Sequence, residues 1–126
     1  MGKEAHLSLP VSVDLALRPE AIAEARGIVG RALNDHPRVE DAILAISELV
    51  TNVIRHAPQN HTATIVIEPV APDTIRLSIR QALGTIGPSP AERGEGGHGL
   101  KIVEAVSSRW GVEGDEWSGV WFELTD

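Results

Sequence analysis

From Arg38 to Ala57 the apolar residues fall at Val39, Ala42, Ile43, Ile46, Leu49, Val50 and Val53, the three-and-four spacing of one helix face, with no proline to interrupt it. A helix with so wide an apolar stripe is stable only against a second layer. The flanking sequence offers that layer. Leu7, Leu9, Val11, Val13, Leu15 and Leu17 alternate with mostly polar or small residues, 62–68 is rich in β-formers, and Ile75, Leu77 and Ile79 alternate cleanly between Thr74 and Gln81. Two hydrophobic periods in one chain predict helices laid on a sheet.

Local signals divide the chain further. Pro10 lacks an N–H to donate, which predicts a sheet margin for the first strand. Pro19 opens a helix running to about Leu33, with Ile22, Ala25, Ile28, Val29, Ala32 and Leu33 as its buried stripe, and Asn34-Asp35-His36-Pro37 separates it from the next. Pro58 and Asn60 stop the long helix. The segment 82–97 is rich in Gly and Pro, as functional lids often are. A third helix is expected from Gly99 to Ser107, with Leu100, Ile102, Val103 and Val106 toward the sheet, and strands around 110–112 and 120–124 then close a hairpin. No repeat or linker interrupts the pattern, so residues 1–126 read as a single domain.

Composition narrows the function classes. The formal net charge of −7 disfavours direct contact with nucleic acid, which needs clustered Lys and Arg. With 0 cysteines there is no disulfide, thiolate nucleophile or Cys-based zinc site, and the 5 histidines show no paired metal-ligand spacing. No apolar run approaches a membrane span, and Met1-Gly2-Lys3-Glu4-Ala5-His6 lacks the apolar stretch of a secretion signal, so a cytoplasmic location away from membranes is expected.

Two features carry chemistry. On the long helix, Asp41, Ala45, Glu48, Asn52 and His56 form a line beside the core stripe; Glu48 and Asn52, at i and i+4, project from one face, where they could hold a hydrated cation. Such a pair is ordinarily a solvated helix face, and a histidine near a helix C-terminus commonly packs or caps. The second feature is Gly96-Gly97-His98-Gly99-Leu100 at the start of the third helix. Glycines there let backbone N–H groups approach an anion that the helix dipole also favours, although such a run also serves as an ordinary loop and cap.

The order of these features resembles the GHKL superfamily with its Bergerat ATP-binding fold, and within it the anti-sigma-factor serine-protein kinases. Glu48-Leu49-Val50-Thr51-Asn52 with Arg55-His56-Ala57 is similar to the family's N-box, Gly97-His98-Gly99-Leu100 to its second glycine box, and Arg109-Trp110-Gly111-Val112 with Val120-Trp121-Phe122-Glu123-Leu124 to its closing hairpin. The resemblance covers nearly the whole chain. It implies an α/β (α+β) two-layer sandwich, three helices on one face of a mixed, mainly antiparallel sheet, with nucleotide between the layers. It also implies a homodimer, ATP and Mg2+ as cofactors, Glu48 as the general base, Asn52 as ligand to magnesium and phosphate, and a binding site completed by His56, Gln81, Gly97, His98, Gly99 and Leu100. The implied partners are a sigma factor and an anti-anti-sigma protein.

One departure bears on that chemistry. Where the family has Asp-x-Gly-x-Gly, this chain has Gln81-Ala82-Leu83-Gly84-Thr85. A neutral amide replaces the carboxylate that accepts from the adenine amine, and Leu83 adds bulk where a glycine is expected. Two readings follow: an active anti-sigma factor and serine kinase, or a non-catalytic protein-binding regulator of the same fold with a weakened nucleotide site. A third, the catalytic domain of a histidine kinase, would need a dimerising helical segment with a phosphoacceptor histidine, which this sequence is not expected to supply.

Overall fold

The structure is a computed structural model and describes residues 9–56, 62–81, 98–113 and 119–125. The elements follow in the order β1 (Val11–Ala16), α1 (Glu20–Ala32), α2 (Val39–His56), β2 (Thr62–Ala71), β3 (Thr74–Gln81), α3 (His98–Val106), β4 (Arg109–Glu113) and β5 (Gly119–Thr125). The strands form one sheet in the order β1-β2-β3-β5-β4. The expectation of a mixed sheet is corrected here: every pairing among the described residues is antiparallel. β3 and β4, joined through α3, do point the same way, but β5 inserts between them, so no parallel pair comes into contact.

Register explains why one face of the sheet is apolar. Ile65 stands opposite Ile79, Ile67 opposite Leu77, and Leu77 in turn opposite Phe122, so alternate residues of three neighbouring strands line the same side. These five side chains are fully buried. Burying side chains of this size contributes roughly 1.5–3 kcal/mol apiece. The helices cover that side: α1 packs on β1 and β2, α2 on β3 and α3 on β4, and α2 lies between α1 and α3. From α2 come Ile46, Leu49, Val50 and Val53, all at zero exposure, as the spacing of the stripe requires. In α1 the first-turn residue that is fully buried is Ala21 rather than Ile22, which is only partly covered. The result is a two-layer α+β arrangement with β1 at one sheet edge, where Pro10 predicts it.

The other face of the sheet is polar. Glu123, 4% exposed, accepts hydrogen bonds from Arg76 Nε and Nη2 at 2.9 and 2.6 Å and from Arg109 Nε and Nη2 at 2.9 and 3.1 Å. The Arg109 guanidinium holds the Glu123 carboxyl below the usual glutamate range, Arg76 acts in the same sense, and burial opposes both. Both guanidinium groups also lie over the Trp121 ring, at 4.6 Å for Arg76 and 5.5 Å for Arg109. Trp121 in turn lies across Gly111, its cross-strand partner, where an added Cβ would come within 2.8 Å of the ring.

One end of the sandwich is closed by Arg38. It donates to the carbonyl oxygens of Val106 and Thr125, ending α3 and β5, while its Nε bonds Asp41 at 2.9 Å. Its own backbone N–H donates to His36 Nδ1 at 3.0 Å, which caps the entry to α2.

Candidate functional site

The Arg38 contacts also orient the elements. Arg38 precedes α2 and touches both the last residue of α3 and Thr125, and Thr125 pairs with Thr74 at the start of β3. Because α2 packs on β3 and on α3, it runs along β3 in the same direction and antiparallel to α3. The C-terminal half of α2, the end of β3 and the beginning of α3 therefore share the opposite end of the sandwich. Those are the segments that carry Glu48 and Asn52, Gln81, and His98 and Gly99.

On α2, Asn52 is buried and Glu48 half-buried, one turn apart on a face that borders the core stripe. That placement differs from an ordinary solvated face, because a carboxamide at 7% exposure is held within the fold rather than in water. The turn between them is tightened by two back-bonds, Ser47 Oγ to the carbonyl of Ile43 at 2.8 Å and Thr51 Oγ1 to that of Ser47 at 2.7 Å. His56 is the last residue of α2, and Arg55 beside it is exposed.

Gln81 is the most informative side chain at this end. It follows Ile79 in phase on the helix-covered side of the sheet, opposite Ala63, and is 3% exposed. Among the described residues neither its Oε1 nor its Nε2 has a hydrogen-bond partner. A buried amide left unpaired costs on the order of 1–3 kcal/mol, so the site stores an unmet demand for one donor and one acceptor side by side. Ser78 Oγ and Ser107 Oγ are also buried and without a partner among the described residues, but each is a lone hydroxyl without that paired pattern.

His98, Gly99 and Leu100 form the first turn of α3, where free backbone N–H groups and the positive end of the dipole suit an anion. Gly97, Leu83 and the rest of 82–97 lie outside the described residues. Among the described residues no three His, Asp or Glu side chains converge, so a divalent cation held by Asn52 would take most of its ligands from outside these side chains.

A groove of about 550 Å³ lies elsewhere, between β1 and α1, lined by Val13, Leu15, Ala23 and Ile28. Its polar residues, Asp14, Glu24 and Arg31, are exposed, and no predicted site residue lines it. The unpaired Gln81 amide makes the opposite end the better candidate. Sequence reasoning gave Arg109 and Glu123 no role beyond their place in the closing hairpin and passed over Arg76 on β3; the three meet only through the β3–β5–β4 register, a long-range pairing with no local signal. Neither a protein-family model nor a curated protein matches this chain.

Proposed function

We propose that this chain is a Bergerat-fold, GHKL-type regulator of the anti-sigma class that binds a magnesium-adenine nucleotide at the Gln81 end and a sigma factor in the cytoplasm, as a homodimer. The observation that carries the reading is the buried, unpaired Gln81 amide at the end of the sandwich shared with Asn52 and the start of α3. An edge with one acceptor and one donor fits the amino group and ring nitrogen of adenine. Asn52 would hold magnesium and phosphate through its carboxamide oxygen, and the first turn of α3 would meet the phosphates. When bound, the Mg-nucleotide supplies the phosphoryl group and neutralises its charge.

The residues of the chain have separate tasks. Gln81 orients the base, and Glu48, half-buried and one turn from Asn52, accepts the proton of a serine hydroxyl on an anti-anti-sigma partner. The second reading, a regulator that binds partners without catalysis, is favoured by the neutral Gln81, a weaker acceptor than a carboxylate.

Calorimetric titration with Mg-ADP tests the site. Asn52→Ala is expected to abolish the heat seen with the unaltered protein while leaving the circular dichroism unchanged. Equal binding by both proteins places the ligand elsewhere. With the partner identified by co-purification, Glu48→Gln separates the two readings: a kinase slows by about 10²–10⁴ at unchanged nucleotide affinity, whereas a non-catalytic regulator shows no transfer from either form.

A further inference from the structure

A glutamine amide is usually locked in one orientation because a neighbour donates to its oxygen or accepts from its nitrogen. Among the described residues Gln81 has no such neighbour at either atom, at 3% exposure, so none of them chooses which of the two faces the ligand. Its terminal torsion is of the broad, two-fold kind, and a half-turn exchanges donor for acceptor at little cost. The two purines differ at their outer edge by that same exchange. Adenine presents an amino donor beside a ring acceptor; guanine presents a carbonyl acceptor beside a ring N–H.

Resting on the nucleotide reading above, we infer that Gln81 is a two-way specificity residue and that this site binds adenine and guanine nucleotides with comparable affinity. With adenine, Oε1 accepts from the 6-amino group and Nε2 donates to N1. With guanine the amide turns over, Nε2 donating to O6 and Oε1 accepting from N1–H. Both pairs contain two neutral hydrogen bonds, so neither base is left with an unmatched group at this position. A carboxylate cannot do this, since it only accepts and would set an acceptor against adenine N1 or guanine O6.

The test is titration of the full chain with ADP, GDP and IDP in the presence of magnesium. The expected result is a set of dissociation constants within about tenfold of one another. Inosine shares O6 and N1–H with guanine but lacks the 2-amino group, so IDP must follow GDP; GDP binding without IDP binding would assign recognition to that amino group and overturn the inference. Gln81→Leu removes both hydrogen bonds without adding charge and is expected to weaken all three ligands by about tenfold or more. Gln81→Glu is expected to weaken all three, since an acceptor-only group leaves adenine N1 or the O6 of guanine and hypoxanthine opposed. ADP binding a hundredfold tighter than GDP to the unaltered protein would overturn the two-way reading while leaving the nucleotide site intact. Unchanged affinities in Gln81→Leu would also overturn it, and failure of all three diphosphates to bind would remove the nucleotide reading itself.

Discussion

The two ends of the sandwich treat their buried polar groups in opposite ways. At the Arg38 end, one guanidinium meets two main-chain carbonyls and a carboxylate, so the groups that would otherwise be stranded where α3 and β5 stop are paired. At the Gln81 end, an amide more deeply buried than that guanidinium meets no hydrogen-bond partner among the described residues. Pairing at the first end supports the folded state; the unpaired group at the second subtracts from it. An unmet polar demand inside a fold is retained at a cost, and a ligand that answers it is the simplest account of why it is there.

The contrast can be broken most strongly at Arg38. Arg38→Met keeps much of the aliphatic stem but removes every donor, leaving the Val106 and Thr125 carbonyls and Asp41 without this partner, and is expected to cost about 2–4 kcal/mol in urea denaturation. Because the loss lies at the far end, the folded fraction should bind Mg-ADP as before. A loss of affinity at full folding would show that the two ends are coupled.

A smaller effect of opposite sign is expected at Gln81. Gln81→Leu replaces an unpaired amide with an apolar group of similar size and should stabilise the nucleotide-free protein by about 1 kcal/mol, read as a rise in melting temperature, while the same substitution weakens nucleotide binding. Stability and affinity moving in opposite directions would sharpen the comparison. A destabilised variant would mean that the amide is already satisfied in solution.

The smallest effect belongs to the polar sheet face, which resembles the Arg38 end in having its charges paired. Glu123 has a folded-state pKa below its unfolded value, chiefly through Arg109, so its contribution is present above the ordinary glutamate range and is lost as pH falls through the lowered folded value. Urea midpoints measured from pH 6 down to pH 3 should therefore fall more steeply for the unaltered protein than for Glu123→Gln. Parallel curves would show that the arginine pairing contributes nothing to folding.

The half of the contrast that involves Gln81 was visible in the sequence; the half that involves Arg38 was not. Gln81 falls in phase with Ile75, Leu77 and Ile79, and a two-residue period is enough to predict burial. The helices were legible from their own three-and-four spacing, to within a residue or two at their ends: Pro19 does precede α1, and α2 ends at His56 shortly before Pro58. Arg38, by contrast, reads as one more charge at a helix start. Its partners Val106 and Thr125 lie 68 and 87 residues away, and contacts to main-chain carbonyls leave no imprint on residue type. The strand order was hidden likewise, since nothing local tells β5 to insert between β3 and β4. Within the candidate site, the turn carrying Glu48 and Asn52 was expected from i, i+4 spacing, but that spacing could not tell that the carboxamide would be drawn inside and the carboxylate left half out.

Trp121 lying across Gly111 ties two positions together. Any side chain at 111 would meet the indole ring, and any smaller residue at 121 would leave the two guanidinium groups of Arg76 and Arg109 without the ring they share. The missing side chain at 111 is thus the space the indole occupies, and the ring that fills it is the surface on which two like charges come to rest side by side.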